Sequence, residues 1–123
     1  MTRLTPEQLA PYREAAQQRY KREQEALVRR EASAWGAARL AAETLRQQFG
    51  VERVVLFGSL TRPGTFTHWS DVDIAAWGIA VTDTFKAIGV VMDLDTEVPV
   101  NLVDVNCCKP SILAAIERDG IEL

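Results

Sequence analysis

From Thr5 to Phe49 almost every residue is a good helix former. A helical run of this length decides more about the architecture than any other part of the chain. Thr5 can cap it, Pro6 suits the first helical position, and Gln8 can close a capping box. Gly50 is a natural stop. Gly36 is the weak point, and a break or kink is predicted between Ser33 and Gly36. The two halves differ in character. Residues 7–31 are mostly Glu, Gln, Arg, Lys and Ala, with sparse apolar positions at Leu9, Tyr12, Ala16, Tyr20 and Leu27. Residues 34–49 place Trp35, Ala38, Ala41, Ala42, Leu45 and Phe49 at helical spacing, so this half should pack on a core. The first half is too polar to bury. It projects into solvent or meets another chain, a second copy included. Acids interleave with its arginines, so no basic patch results and direct nucleic-acid binding is not expected. The reading divides the chain into a helical extension, 1–36, and a compact domain, 37–123.

The compact part alternates strands with helices. Val51–Phe57 and Asp71–Trp77 read as buried strands, Thr82–Leu94 as a helix, Val98–Val105 as a third strand, and Pro110–Arg118 as a last helix stopped near Gly120. The predicted class is α/β (α+β), a small mixed sheet with flanking helices after a long helical region. With 123 residues, 47% hydrophobic and 25% charged, the chain is the size of one globular domain. No stretch has the pattern of a signal peptide or is long enough to span a bilayer. Cys107 and Cys108 are adjacent and ill-placed for a disulfide, so a reducing cytoplasm fits best. Charge is uneven. Residues 1–48 hold nine Lys/Arg against six Asp/Glu, whereas residues 49–123 hold five against eleven. An acidic half that handles phosphates needs divalent cations to avoid repelling them.

The chemistry lies between the first two strands. Gly58-Ser59 ends the apolar run Val54–Phe57, and Asp71 and Asp73 open the next, Ile74–Ala76. Side chains two apart on a strand share a face, so the two carboxylates converge. Side by side they repel unless a cation lies between them, and hard oxygen ligands suit Mg²⁺ or Mn²⁺. Gly58 permits a tight turn and close approach to a ligand. N–H groups opening a following short helix can hold phosphate oxygens, with the Ser59 hydroxyl as a further donor and Arg62 one turn on. An isolated Asp-x-Asp is most often a solvated strand end; the preceding Gly-Ser turn is what points to phosphoryl or nucleotidyl transfer. His68 can orient a phosphate and Trp69 can stack on a base, although a loop histidine and a packing tryptophan are the blander readings.

The segment Phe57-Gly58-Ser59-Leu60-Thr61-Arg62-Pro63-Gly64, followed by Ser70-Asp71-Val72-Asp73, resembles the signature of the minimal nucleotidyltransferases of the DNA polymerase β-like superfamily. The likeness spans about residues 40–123. It implies nucleotide contacts by Gly58, Ser59, Arg62 and Ser70, catalytic Asp71 and Asp73, and ATP with Mg²⁺ as substrate and cofactor. The resemblance also implies a third carboxylate on a later strand. The matching run, Val100-Asn101-Leu102-Val103-Asp104, has Asn101 at that position; an amide can ligate a metal but brings no charge and no base. Asp104 is the alternative, yet on a regular strand it faces the opposite side, unless a bulge or strand end intervenes. Relatives of this kind are often paired with a helical HEPN-domain toxin, and some transfer AMP to it as its antitoxin. The resemblance therefore implies transfer of AMP to a partner's hydroxyl. The other readings are a binding module that neutralises a partner by contact and, further off, modification of a small molecule such as an aminoglycoside, which the missing acceptor domain disfavours.

Overall fold

The computed structural model describes residues 3–123. Helix α1 runs from Pro6 to Phe49, 44 residues, about 66 Å at 1.5 Å per residue. Its start is the capping box read from the sequence: Gln8 N–H donates to Thr5 Oγ1 at 3.2 Å and Thr5 N–H donates to Gln8 Oε1 at 2.7 Å. Its end is Gly50, which adopts the left-handed conformation at φ 61° and donates its N–H to Arg46 O. The break predicted near Gly36 does not occur, and α1 runs unbroken across residue 36. Tertiary packing begins in this stretch and outweighs the glycine. Ser33 donates to Glu97 Oε2 at 2.9 Å, and Ala34 is fully buried. The costlier residue for the helix is Pro11, which has no N–H to offer Glu7 O.

Residues 10–25 are all exposed, whereas Ala34, Ala37, Ala38, Ala41, Ala42 and Leu45 are buried. Small alanines bring α1 close to the sheet. That sheet has four strands: β1 (Arg53–Phe57), β2 (Val72–Trp77), β3 (Val100–Asp104) and β4 (Ile121–Glu122), in the order β3-β2-β1-β4. β1 is antiparallel to β2 and β4, while β3 is parallel to β2. A parallel neighbour needs a crossover, and α2 (Thr84–Met92) supplies it. The short β4 had no sequence signal of its own. It is held by pairing with Val55 and Leu56 and by Leu123 N–H on Val54 O.

The two faces of the sheet are filled differently. Val54, Leu56, Val72, Ile74, Ala76, Val100 and Leu102 join α1 and α2 in one large core. Val55, Ala75 and Val103 face the other way, toward α3 (Pro110–Asp119), whose buried anchor is Ile116. α3 covers only part of that face. Phe57, Asp73 and Asn101 lie in one row across β1, β2 and β3, on the face that also carries Val55, Ala75 and Val103, with Phe57 packed against the α3 cluster. No described helix is long and apolar enough to cross a membrane.

Candidate functional site

Strand alternation alone brings the first residues together. Asp73 is directly opposite Asn101 on β3 and opposite Phe57 on β1. Asp71 precedes β2 by one residue and keeps the parity of Asp73. The Asn101 amide nitrogen lies 3.3 Å from Asp73 Oδ1 and 3.5 Å from Asp71 Oδ2, weak donor contacts that face both carboxylates. Burial raises the Asp73 carboxyl above its ordinary range; the Asn101 contact pulls it down, and the Asp71 charge pushes it up. A carboxylate that is partly desolvated, beside a second one, with one weak donor between them, is an under-satisfied arrangement. A cation relieves all three strains at once.

Gly58 completes the wall. It sits at φ 82° and ψ −158°, a region closed to other residues, and a Cβ there would lie 2.7 Å from Asp73 Oδ2. The turn Ser59–Thr61 follows. The N–H groups of Ser59 and Leu60, first in that turn, have no partner within it. The loop is tied by hydroxyls: Thr61 Oγ1 donates to Gly58 O at 2.7 Å, and Thr65 Oγ1 donates to Ser59 O at 2.6 Å. Arg62 is exposed at the mouth of a cleft of about 220 Å³ between this turn and the end of α3, where Arg118 and Asp119 also lie.

Other sequence-predicted residues are placed differently. The Ser70 hydroxyl accepts from Thr67 N–H at 2.9 Å and closes the Thr67–Ser70 turn. Ser70 O accepts from Arg30 Nη2 at 3.0 Å, so α1 holds the loop that leads into Asp71. Arg30 also lies over the Phe66 ring, with its Nε buried and unpartnered among the described residues. Nothing local in the sequence marks Arg30 or Arg118; both act across long separations. His68 is exposed, and Trp69 is 92% exposed, not the packing residue of the blander reading.

Asp104 does not join the cluster. It is 3% exposed on the α1/α2 side, where its carboxylate accepts from Thr84 Oγ1 at 2.7 Å and from Asn106 N–H at 3.0 Å. The register from Val72↔Val100 to Ala76↔Asp104 is unbroken, so no bulge rotates it toward Asn101. The sequence-predicted place of Asp104 in the catalytic set is therefore not supplied by this geometry. Among the described residues no group of three or more His, Cys, Asp or Glu side chains is gathered for a metal. The donor set that the fold offers a divalent cation is two carboxylates and, once its amide turns its oxygen inward, Asn101. Hard oxygen donors of this kind fit Mg²⁺ or Mn²⁺, with the remaining positions left to water or phosphate oxygens.

No curated protein sequence matches the chain. Six chains of solved structures do. One is a mutant of the toxin–antitoxin MntA-HpeT, 21% identical, with a TM-score of 0.53 and 67% of each chain covered. At that identity the likeness shows a shared fold, a mixed sheet with flanking helices. A family model described as nucleotidyltransferase domain matches residues 38–110, a span that runs from the packed half of α1 through Gly58, Asp71, Asp73 and Asn101 to the start of α3. The chain belongs to the nucleotidyltransferase domain family.

Proposed function

We propose that this nucleotidyltransferase transfers AMP from ATP to a hydroxyl of a partner protein, as the antitoxin of a pair whose other member is a HEPN-domain protein. The observation that carries the transfer is the wall shared by the Gly58 turn and Asp73. The turn and the Asp73 carboxylate leave so little room between them that a Cβ at position 58 would lie 2.7 Å from Asp73 Oδ2. Asp71 and Asp73 hold the cation, with Asn101 as a neutral third donor. The bound cation supplies charge neutralisation at the phosphates. Gly58, Ser59 and Arg62 orient the phosphate tail. The acceptor hydroxyl gives up its proton to solvent as its oxygen bonds to the α-phosphorus, the bond to the bridging oxygen breaks, and pyrophosphate leaves with the electron pair. Positioning and electrostatic stabilisation carry the rate.

Support for a protein partner comes from surfaces the domain leaves bare. Phe85 and Met92 are exposed apolar side chains seven residues apart on α2, Val81 is exposed in the turn before it, and Trp69 stands free beside the site. Tyr12 and Tyr20 stand exposed on the projecting half of α1, which suits a partner or a second copy. One structural neighbour is a mutant of the toxin–antitoxin MntA-HpeT.

A second reading has its own observation. The Asn101 amide takes the place of a charged ligand and base, and Asp104 is committed elsewhere. The domain would then bind nucleotide and partner without rapid transfer. Incubation with labelled ATP, Mg²⁺ and the neighbouring gene product separates the two. Label on the partner that vanishes in Asp71→Ala and Asp73→Ala supports transfer. A stable complex without label supports binding alone. Transfer that survives both substitutions would sink the site assignment.

A further inference from the structure

The projecting half of α1 carries one apolar row. At about 3.6 residues per turn, a straight row that starts at Leu9 passes through Tyr12, Ala16, Tyr20, the Glu23–Gln24 step and Leu27. The same row continues through Ala34, Ala38 and Leu45, which the core buries. Leu27 is the first hydrophobic residue of α1 packed on that core. Before it, residues 10–25 are all exposed, with Tyr12 at 67% and Tyr20 at 65%. The core-facing side of α1 thus runs on past the domain, with nothing under it among the described residues. Arg30 on Ser70 O at 3.0 Å and Ser33 on Glu97 Oε2 at 2.9 Å mark where the helix leaves. They grip the segments that enter β2 and β3, so the arm overhangs the end of the sheet that bears Asp71, Asp73 and Asn101.

The pattern of this row says what covers it. It is symmetric about Gln18. An antiparallel pair of such arms sets Leu9 level with Leu27 and the small Ala16 level with the large Tyr20, knob against hole. Two charges border the row, Arg13 about 40° to one side of the Leu9–Leu27 line and Glu23 about 40° to the other. In the antiparallel register they too are level, each arginine with the other copy's glutamate. A parallel pair instead sets Arg13 on Arg13, Glu23 on Glu23 and Tyr20 on Tyr20, which repels twice and matches no sizes.

We infer that the arm is a docking surface for a second copy of this chain, with the two arms antiparallel and a twofold axis level with Gln18. The contact runs from Leu9 to Leu27, about 27 Å at 1.5 Å per residue. Tyrosine and leucine supply its apolar area, and the Arg13–Glu23 pairs fix its register. Each arm leaves from the site end of its own sheet, so the two sites lie at the facing ends of the pair. Along the arms, residue 30 of one copy stands about 36 Å from residue 30 of the other. Trp69 and the exposed Phe85 and Met92 of α2 stay free for a different partner. The pairing does not depend on the nucleotide chemistry of the site.

Sedimentation equilibrium of the whole chain tests the pairing. The expected mass is twice 13.7 kDa, in a concentration-dependent equilibrium. Tyr20→Glu, at an exposed position that the folded monomer does not use, should weaken the dimer at least about tenfold. Arg13→Glu and Glu23→Arg should each weaken it severalfold, and the double reversal should restore it to within about twofold. Gln18→Glu, on the back of the helix, should change it by less than about twofold. Circular dichroism checks that each variant remains folded. A monomer at every concentration up to about 1 mM overturns the second copy; if Tyr20→Glu then also loses a complex with the neighbouring gene product, the row belongs to that partner instead. A dimer that Tyr20→Glu leaves intact, or that Phe85→Glu dissolves in its place, overturns the arm as the contact. A double reversal that stays as weak as its parts overturns the antiparallel register.

Discussion

Asp73 and Asp104 sit on neighbouring strands but opposite faces of one sheet, and they are treated in opposite ways. Asp104 is the more buried, yet it has a hydroxyl and a backbone N–H as full partners. Asp73 is only half-buried but has a second carboxylate beside it and one weak amide contact. The tightly packed α1/α2 face uses its aspartate to hold α2 and the residues after β3 in place. The face that α3 leaves partly open keeps its aspartate wanting a partner. Satisfaction, more than burial, separates a structural acid from one poised to take a ligand.

That contrast can be broken in measurable ways. The largest effect belongs to Asp73→Ala. It should lower Mg²⁺-dependent ATP affinity on the order of 100-fold, while thermal stability stays the same or rises. Equal affinity losses in Asp73→Ala and Asp104→Ala, at matched stability, would erase the distinction. Gly58→Ala comes next. The new Cβ meets Asp73 Oδ2 and the φ of 82° is strained, so stability should fall by about 1–3 kcal/mol, and ATP binding with it. Denaturant titration and calorimetry read both. Asp104→Ala should cost about 1–3 kcal/mol by leaving Thr84 and the Asn106 N–H unpaired, with cation affinity retained in the folded fraction.

The smallest effect concerns pH. The folded-state carboxyl of Asp73 is raised, so the folded protein holds that proton more tightly than the unfolded chain. Metal-free stability is therefore lowered as pH climbs from the unfolded carboxyl range, about 3.9, through the raised value. Asp73→Asn should remove this penalty. The metal-free variant should melt slightly higher at pH 7, by less than about 1 kcal/mol of stability, and match the parent below about pH 3.9. A melting point that drops at pH 7 would show that Asp73 is already well satisfied without a cation.

The local parts of this site were legible in the sequence because they depend on short-range rules. Strand parity sets Asp71 and Asp73 on one face, and the same parity sends Asp104 to the other. Gly58 needs only its own φ and its neighbour across the ladder. The turn after it, the capping box at Thr5 and the stop at Gly50 are equally local. Residues that work across long separations carry no such mark. Arg118 reaches Arg62 because Ile116 docks α3, and Arg30 reaches Ser70 because α1 lies alongside the loop. β4 exists because β1 has a free edge for it. In α1, propensity pointed to Gly36, where packing decides the outcome, and Pro11 passed unremarked, although the helix runs through it.

Gly58 and Asp73 compete for space, since any side chain at 58 would begin with a Cβ only 2.7 Å from the Asp73 carboxylate oxygen. The two positions therefore cannot drift independently. Shortening the acid should soften the harm of a methyl at 58, and the double substitution should cost less than the sum of its parts. Fifteen positions apart in the chain, they form a single mutational unit, and a lineage that loses the acid also loses part of the constraint holding the glycine.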